Sequence, residues 1–275
     1  MGMIRSLGVV ICATFLLALP VQAQRAPQIE ALLEALKISD TIKVMQEEGK
    51  DYGDDLADQL VPDVNPDSWA QTIARIYDHD KMYALIADGF ETELEDADLN
   101  AMLAYYQSAD AAEIVSLEVS ARRAFLDADT EAAAVARYQN LSDTNAGLID
   151  QIDTLISDSD LVEMNVAGSL NSDLMFYRGL TDGGAFEMTE EEMLADVWAQ
   201  EEELRLSSRE WLQSFLAMAY QPLQSEQLED YAAFYRSPEG RDLNRAIFVA
   251  FDQMYEEISY LLGRAVSQQM MSEKL

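Results

Sequence analysis

The sequence repeats a series of motifs once, in the same order, and this repeat limits the possible folds more than any other feature. The segment 67–71 (DSWAQ) returns at 196–200 (DVWAQ), and 104–108 (AYYQS) returns at 233–237 (AFYRS). Both pairs are separated by 129 residues. Self-similarity at a fixed offset is typical of a structural unit that occurs twice in the chain.

Nearer the N-terminus the offset falls to 118 residues, because Ile38-Ser39-Asp40 matches Ile156-Ser157-Asp158. The change from 118 to 129 predicts an 11-residue insertion in the second copy, at the glycine-rich segment 181–185. We therefore predict two tandem copies, at residues 24–142 and 143–275. The pattern leaves open whether the copies form separate bundles or one merged bundle.

Each copy is predicted to be helical. Apolar residues recur at spacings of three and four in the first copy, at Ile42, Met45, Gly49, Tyr52, Leu56 and Leu60. In the second copy Thr189 and Glu192 form a capping-box pattern, and Ser237-Pro238-Glu239 is typical of a helix start. No run of alternating β-branched residues is long enough for a strand. The predicted fold class is all-α, with no β-sheet.

Several helix boundaries also follow from the pattern. One helix is expected to carry both Trp69 and Tyr83, with Asp78-His79-Asp80 as a polar kink within it. Asp96 is expected to cap a short helix, and Ser225 is expected to occupy the same position in the second copy. A long helix is predicted from about residue 110 to residue 137.

The composition excludes several classes of function. The chain has 51 acidic and 18 basic residues, for a formal net charge of −33, so nucleic acid is not an expected partner and a monomer is favoured. One His and one Cys exclude the usual zinc sites. His79 lies in no recognisable catalytic motif. We expect no catalytic residue, no metal and no cofactor, and we favour adaptation to a saline medium over a basic partner as the reason for the acidity.

Residues 1–23 have the three parts of an export signal. Arg5 supplies a positive start, an apolar run extends from Leu7 to Leu19, and Val21-Gln22-Ala23 offers small residues for cleavage. We predict cleavage after Ala23. The mature chain then contains no cysteine and no predicted transmembrane helix, so it must fold without disulfides.

The segment from Leu228 to Gly263 carries the most distinctive pattern. It contains Phe234-Tyr235-Arg236-Ser237-Pro238-Glu239-Gly240, followed by Ala246-Ile247-Phe248. This pattern resembles the bacterial exported family called domain of unknown function 2059, most clearly over residues 190–268. The resemblance implies an all-α protein of the periplasm and transfers no catalytic residue. The first copy looks like a degraded version of the same domain.

We assign mainly structural roles to the residues of these repeated motifs, which are Trp69, Trp198, Tyr106, Phe234, Tyr235, Ser237, Pro238 and Gly240. Ser237 is expected to end one helix and start another, and Gly240 to allow close approach of a neighbouring helix. The functional alternative is that Tyr106 and Tyr235 present their hydroxyls in a shared pocket.

Three functions remain open. The favoured one is a non-catalytic periplasmic interaction or binding module, with an envelope protein or a small apolar ligand as its partner. The alternative is a small-molecule or lipid carrier with an apolar cavity between its helices. The third is a hydrolase that uses carboxylates alone, which would need a buried carboxylate pair in a cleft.

Overall fold

The computed structural model describes residues 22–141 and 145–273, and within these ranges it contains helices and no strand, which confirms the predicted all-α fold. Residues 1–21 of the predicted export signal lie outside the described residues. None of the described helices combines the length and apolar character that a bilayer crossing requires.

The helices follow one another with short connections. Those in the first half are α1 (Gln22–Ala35), α2 (Ile38–Leu60), α3 (Pro66–Ile76), α4 (His79–Glu93), α5 (Leu99–Tyr106), α6 (Ala109–Ala124) and α7 (Ala128–Leu141). Those in the second half are α8 (Ala146–Asp158), α9 (Leu161–Asp182), α10 (Glu190–Trp198), α11 (Glu201–Tyr220), α12 (Ser225–Arg236) and α13 (Pro238–Glu273).

The predicted capping box at the start of α10 is present. The Thr189 hydroxyl accepts a hydrogen bond from the Glu192 amide at 3.2 Å, and the Glu192 carboxylate accepts one from the Thr189 amide at 2.8 Å. At the start of α3, the Asn65 side chain accepts a hydrogen bond from the Ser68 amide at 2.9 Å. These side chains satisfy backbone donors that a helix start leaves without an intrahelical partner.

The prediction of one helix carrying both Trp69 and Tyr83 is wrong, because this stretch forms the two helices α3 and α4. Asp78 separates them, since its carboxylate accepts a hydrogen bond from the Lys81 amide at 3.1 Å and caps a new helix. An aspartate that bonds to the backbone ahead of it competes with continuation of the preceding helix. His79 is therefore the first residue of α4 rather than part of a kink.

The long helix predicted from residue 110 to residue 137 is also two helices, α6 and α7. Between them, the Asp127 carboxylate accepts a hydrogen bond from the Thr130 amide at 2.8 Å. Phe125 in the same connection packs edge-on against Trp211 and Phe215, with ring centroids 6.0 and 5.7 Å apart. The Asp127 cap and the packing of the Phe125 ring together explain why the helix stops between α6 and α7.

Two of the predicted caps are displaced by one or two residues. Asp98, rather than Asp96, caps α5 by accepting hydrogen bonds from the amides of Asn100 and Ala101, each at 3.1 Å. Ser225 is the first residue of α12 and not its cap. Several polar residues lie close together at both helix starts, so the sequence alone does not show which one is the cap.

The two predicted copies share their hydrophobic cores. The first core joins α1 to α5 with α13, the last helix of the second copy, and also contains Ala111 and Val115 of α6 and Leu180 of α9. The second core joins α6 and α7 with helices α8 to α12. Each half therefore completes the core of the other, and the copies form one interlocked bundle.

The structure also revises the alignment of the two copies. Lys37 and Asp160 both adopt the left-handed backbone conformation, with φ of 52° and 53°, immediately before the long helices α2 and α9. An alignment of the copies on these two residues has an offset of 123 residues rather than the predicted 118. Ile38 begins α2, whereas Ile156 lies within α8. The duplication itself stays a prediction.

Candidate functional site

Helices α9 and α13, which both contribute residues to the candidate site, approach each other to backbone contact. A Cβ added at Gly179 would lie 2.9 Å from the Arg264 amide nitrogen, and one added at Gly263 would lie 3.0 Å from the Leu180 amide nitrogen. Only glycine leaves room for this approach. Nearer the start of α9, the carboxylate of Asp252 occupies the space beside Gly168.

A cleft of about 710 Å³ lies where α2, α9, α11 and α13 meet, with Arg122 of α6 at its wall. Its walls come from both predicted copies. The volume falls within the range of about 300–1,000 Å³ that is usual for small-molecule sites. The position between the two halves makes the cleft the natural candidate for ligand binding.

Aromatic rings form much of the cleft wall, and they are Tyr52, Tyr77, Trp211, Phe248, Phe251 and Tyr255. Trp211 is held in place by stacking on Phe215, with ring centroids 4.7 Å apart and the planes 9° apart. Rings of this kind bury a large apolar area and also attract cations over their faces. Sequence reasoning did not single out Trp211, although the spacing of four between the two aromatic residues places them on one helix face.

Arg122 is paired within the cleft. Its guanidinium donates to both carboxylate oxygens of Glu48, at 2.9 and 2.7 Å, and to the Tyr255 hydroxyl at 3.2 Å. This two-pronged contact is the strong geometry for an arginine and a carboxylate. Through these contacts Arg122 of α6 connects α2 with α13, and the carboxylate of Glu48 neutralises its positive charge.

Two further carboxylates line the cleft, those of Asp173 and Asp252. Burial raises the pKa of Asp173 above its ordinary value, and burial together with the charge of Glu256 raises the pKa of Asp252 to about 6. Within residues 22–141 and 145–273, neither carboxylate makes a hydrogen bond or an ion pair. Both are therefore partly desolvated negative charges without a basic partner in the described chain.

A second polar cluster lies at the junction of the two cores. The hydroxyls of Tyr220 and Tyr231 donate to Glu118 at 2.6 and 2.9 Å, and the Tyr106 and Tyr235 hydroxyls are 3.2 Å apart. Burial raises the pKa of Glu118 and of these tyrosines. The Tyr106 and Tyr235 hydroxyls, which the functional alternative placed in a shared pocket, lie together but bond within this cluster. Sequence reasoning missed Glu118.

The Ser237 motif is a turn between α12 and α13. The Ser237 hydroxyl accepts a hydrogen bond from the Gly240 amide at 3.0 Å, and a Cβ on Gly240 would meet the Phe234 carbonyl group. Pro238 is the first residue of α13. Phe234 stacks on Tyr105 of the first copy, with ring centroids 3.9 Å apart. The motif therefore joins the two halves without lining the cleft.

The two matched tryptophans occupy different environments. Trp69 is buried in the first turn of α3 and donates a hydrogen bond to the Gly53 carbonyl at 2.7 Å. Trp198 is the last residue of α10, and 58% of its surface is exposed. The predicted equivalence of the two tryptophans is wrong. The buried residue in the first turn of α10, where Trp69 lies in α3, is Met193. Neither tryptophan lines the cleft.

His79 has a polar arrangement that the sequence did not reveal. Its Nε2 is 2.9 Å from the Ser39 hydroxyl, and its Nδ1 is 3.2 Å from an Asp80 carboxylate oxygen. The order serine, histidine and aspartate is that of a hydrolase triad. The Asp80 side chain is 98% exposed, however, so water screens the charge that would orient the imidazole.

Across the described part of the chain, no group of three or more His, Cys, Asp or Glu residues is arranged to hold a metal ion. Comparison of the chain with protein-family models, curated proteins and solved structures gave no match. The resemblance to the domain of unknown function 2059 stays a prediction from the sequence pattern.

Proposed function

We propose that this chain is a non-catalytic, exported binding protein that holds a small, largely apolar molecule in the cleft between its two halves. The cleft of about 710 Å³ with its six aromatic wall residues carries this proposal. The space has the size that is usual for small-molecule sites, and its wall combines these aromatic rings with polar and charged side chains. The export signal and the family resemblance support a periplasmic location.

A small ligand is favoured over an envelope protein because of where the wall residues come from. Helices of both halves contribute to the same concave space, so one compact molecule would contact both halves at once. Binding there would also stabilise the junction of the two cores, because a ligand that binds only the folded state adds to its stability.

The first test is binding of N-phenyl-1-naphthylamine, a neutral apolar dye that brightens in apolar surroundings. Saturable binding of one dye per chain is expected. The variant Ser172→Phe places a ring in the cleft and should abolish binding, whereas Ser120→Phe, at an exposed position of α6 away from the cleft, should not. Thermal unfolding verifies that both variants fold. No saturable binding, or equal binding by both variants, would overturn the proposal.

Hydrolysis by Ser39 is a second candidate function, supported by the contacts of His79 with Ser39 and Asp80. Hydrogen bonding of Nδ1 to the carboxylate would leave Nε2 free to accept the serine proton. It ranks below binding because Asp80 is exposed and none of the three residues lines the cleft. Hydrolysis of p-nitrophenyl acetate that is unchanged in Ser39→Ala would eliminate it.

A hydrolase that uses carboxylates alone is less well supported. Such enzymes need one carboxyl group that stays ionised and one that stays protonated, so their environments must push the two pKa values apart. In this cleft burial raises the pKa of both Asp173 and Asp252. The two shifts have the same direction, so they do not mark one group as the acid and the other as the base.

A further inference from the structure

The charges in the cleft do not balance. The carboxylate and basic side chains that line it are those of Glu48, Asp173, Asp252 and Arg122. Glu48 and Arg122 neutralise each other through two hydrogen bonds at 2.9 and 2.7 Å. The two aspartates remain, and among the described residues neither has a basic partner. The side chains of the cleft therefore carry about two excess negative charges next to aromatic rings.

From this arrangement we infer that the ligand is an organic cation, an amine or quaternary ammonium compound with an apolar body. This inference rests on the proposed binding function and names the chemical class of the ligand. An ammonium group would supply the missing partner of Asp173 and Asp252, while the apolar body would pack against the aromatic wall.

The placement of the two carboxylates suits one bound molecule. Asp252 projects from α13 against Gly168 of α9, and Asp173 lies five residues further along α9. Five residues of helix rise by about 7.5 Å, and both acids line the same cleft. Trp211 and Phe251 lie among the other lining residues. Aromatic faces near carboxylates are the arrangement that proteins use to recognise quaternary ammonium groups.

The charge of the whole chain acts in the same direction. A net charge of −33 attracts cations to the surface and repels anions of equal size. This general attraction is weakened by salt, whereas contact with partly buried carboxylates is screened much less. Binding measured in buffers that contain at least 0.3 M salt therefore distinguishes binding in the cleft from general attraction to the charged surface.

The test uses three probes with the same ten-carbon chain and different head groups: decyltrimethylammonium, decyl maltoside and decyl sulfate. Isothermal titration calorimetry below their micellar concentrations measures binding to the full chain. We expect the cation to bind at least tenfold more tightly than the neutral probe, and the anion to bind most weakly. Tryptophan fluorescence in a Trp198→Phe background, where Trp69 and Trp211 remain, should change on binding of the cation, because Trp211 lines the cleft and the buried Trp69 does not.

Matched variants locate the effect. The double variant Asp173→Asn with Asp252→Asn should remove the preference for the cation while it retains binding of decyl maltoside. The control, Asp55→Asn with Asp58→Asn, removes the same charge from exposed positions of α2 outside the cleft and should keep the preference.

The outcomes separate the two proposals. If all three probes bind equally at one site, the cleft binds ligands but the assignment of a cation is wrong. If none binds, the proposed function fails as well. A preference for the cation that both double variants lose to the same degree would show surface attraction only, and would overturn the inference.

Discussion

Replacement of Asp252 by asparagine is expected to stabilise the folded protein at neutral pH. Burial and the charge of Glu256 raise the pKa of this carboxyl group to about 6, from an ordinary value of 3.8. Each unit of difference corresponds to about 1.4 kcal/mol, so the ionised group would cost the folded state about 3 kcal/mol if fully shielded from water. Because water reaches part of the side chain, we expect a gain of about 1–2 kcal/mol in the free energy of unfolding.

The gain should depend on pH in a defined direction. Since the pKa is higher in the folded state than in the unfolded state, the folded protein binds more protons between pH 3.8 and about 6. The contribution of Asp252 is therefore most favourable below pH 3.8 and is lost as the pH rises through about 6. The other charged groups of the cleft, Glu48, Arg122 and Asp173, are present in both proteins. The difference between wild type and variant should be small at pH 4 and fully developed at pH 7.5.

Urea unfolding followed by circular dichroism, at pH 4 and at pH 7.5, measures these differences. Thermal unfolding at pH 7.5 should show a midpoint about 2–8 °C higher for Asp252→Asn. Asp58→Asn, at an exposed position, serves as the control and should change the stability by less than about 0.5 kcal/mol at either pH. A variant that is less stable than wild type at pH 7.5, or equally stabilised at both pH values, would refute the reasoning.

Two further predictions concern packing and the buried tyrosine cluster. Gly263→Ala should destabilise the protein by about 2–3 kcal/mol in urea unfolding, because the new methyl group meets the backbone of α9. The control Gly147→Ala, which has open space around it, should change the stability by at most about 1 kcal/mol. Equal effects of the two substitutions would contradict the close approach of α9 and α13. Tyr220→Phe removes a 2.6 Å hydrogen bond to the partly buried Glu118 and should lower the free energy of unfolding by about 1–3 kcal/mol. The control Tyr138→Phe removes a hydroxyl from an exposed contact and should lower it by less than about 1 kcal/mol.

Helix starts were predictable where the decisive contacts are local. Thr189, Asn65 and Ser237 each accept a hydrogen bond from an amide three residues ahead, so a short window of sequence contains all the partners. Asp78 forms the same kind of contact within an otherwise periodic stretch. There the apolar spacing favoured one helix, and the competing cap divided it into two.

The cleft was not predictable because its charged residues are distant in sequence. Glu48, Arg122 and Asp252 come from three helices, and only their packing shows which acid has a basic partner. With 51 acidic residues in the chain, the sequence gives no reason to prefer Asp173 or Asp252 over any other. Short sequence matches were also a poor guide to the alignment of the two copies, because they align the exposed Trp198 with the buried Trp69.

The interlocked cores determine when the chain can fold during synthesis. Ile29 of α1 and Leu243 of α13 belong to the same core, although 214 residues separate them in sequence. The N-terminal half therefore cannot complete its core until the last helix has emerged from the ribosome or from a translocation channel. Contacts over such distances form late and slow folding. The first half of each new chain therefore exposes part of its apolar core surface until almost the whole polypeptide has been made.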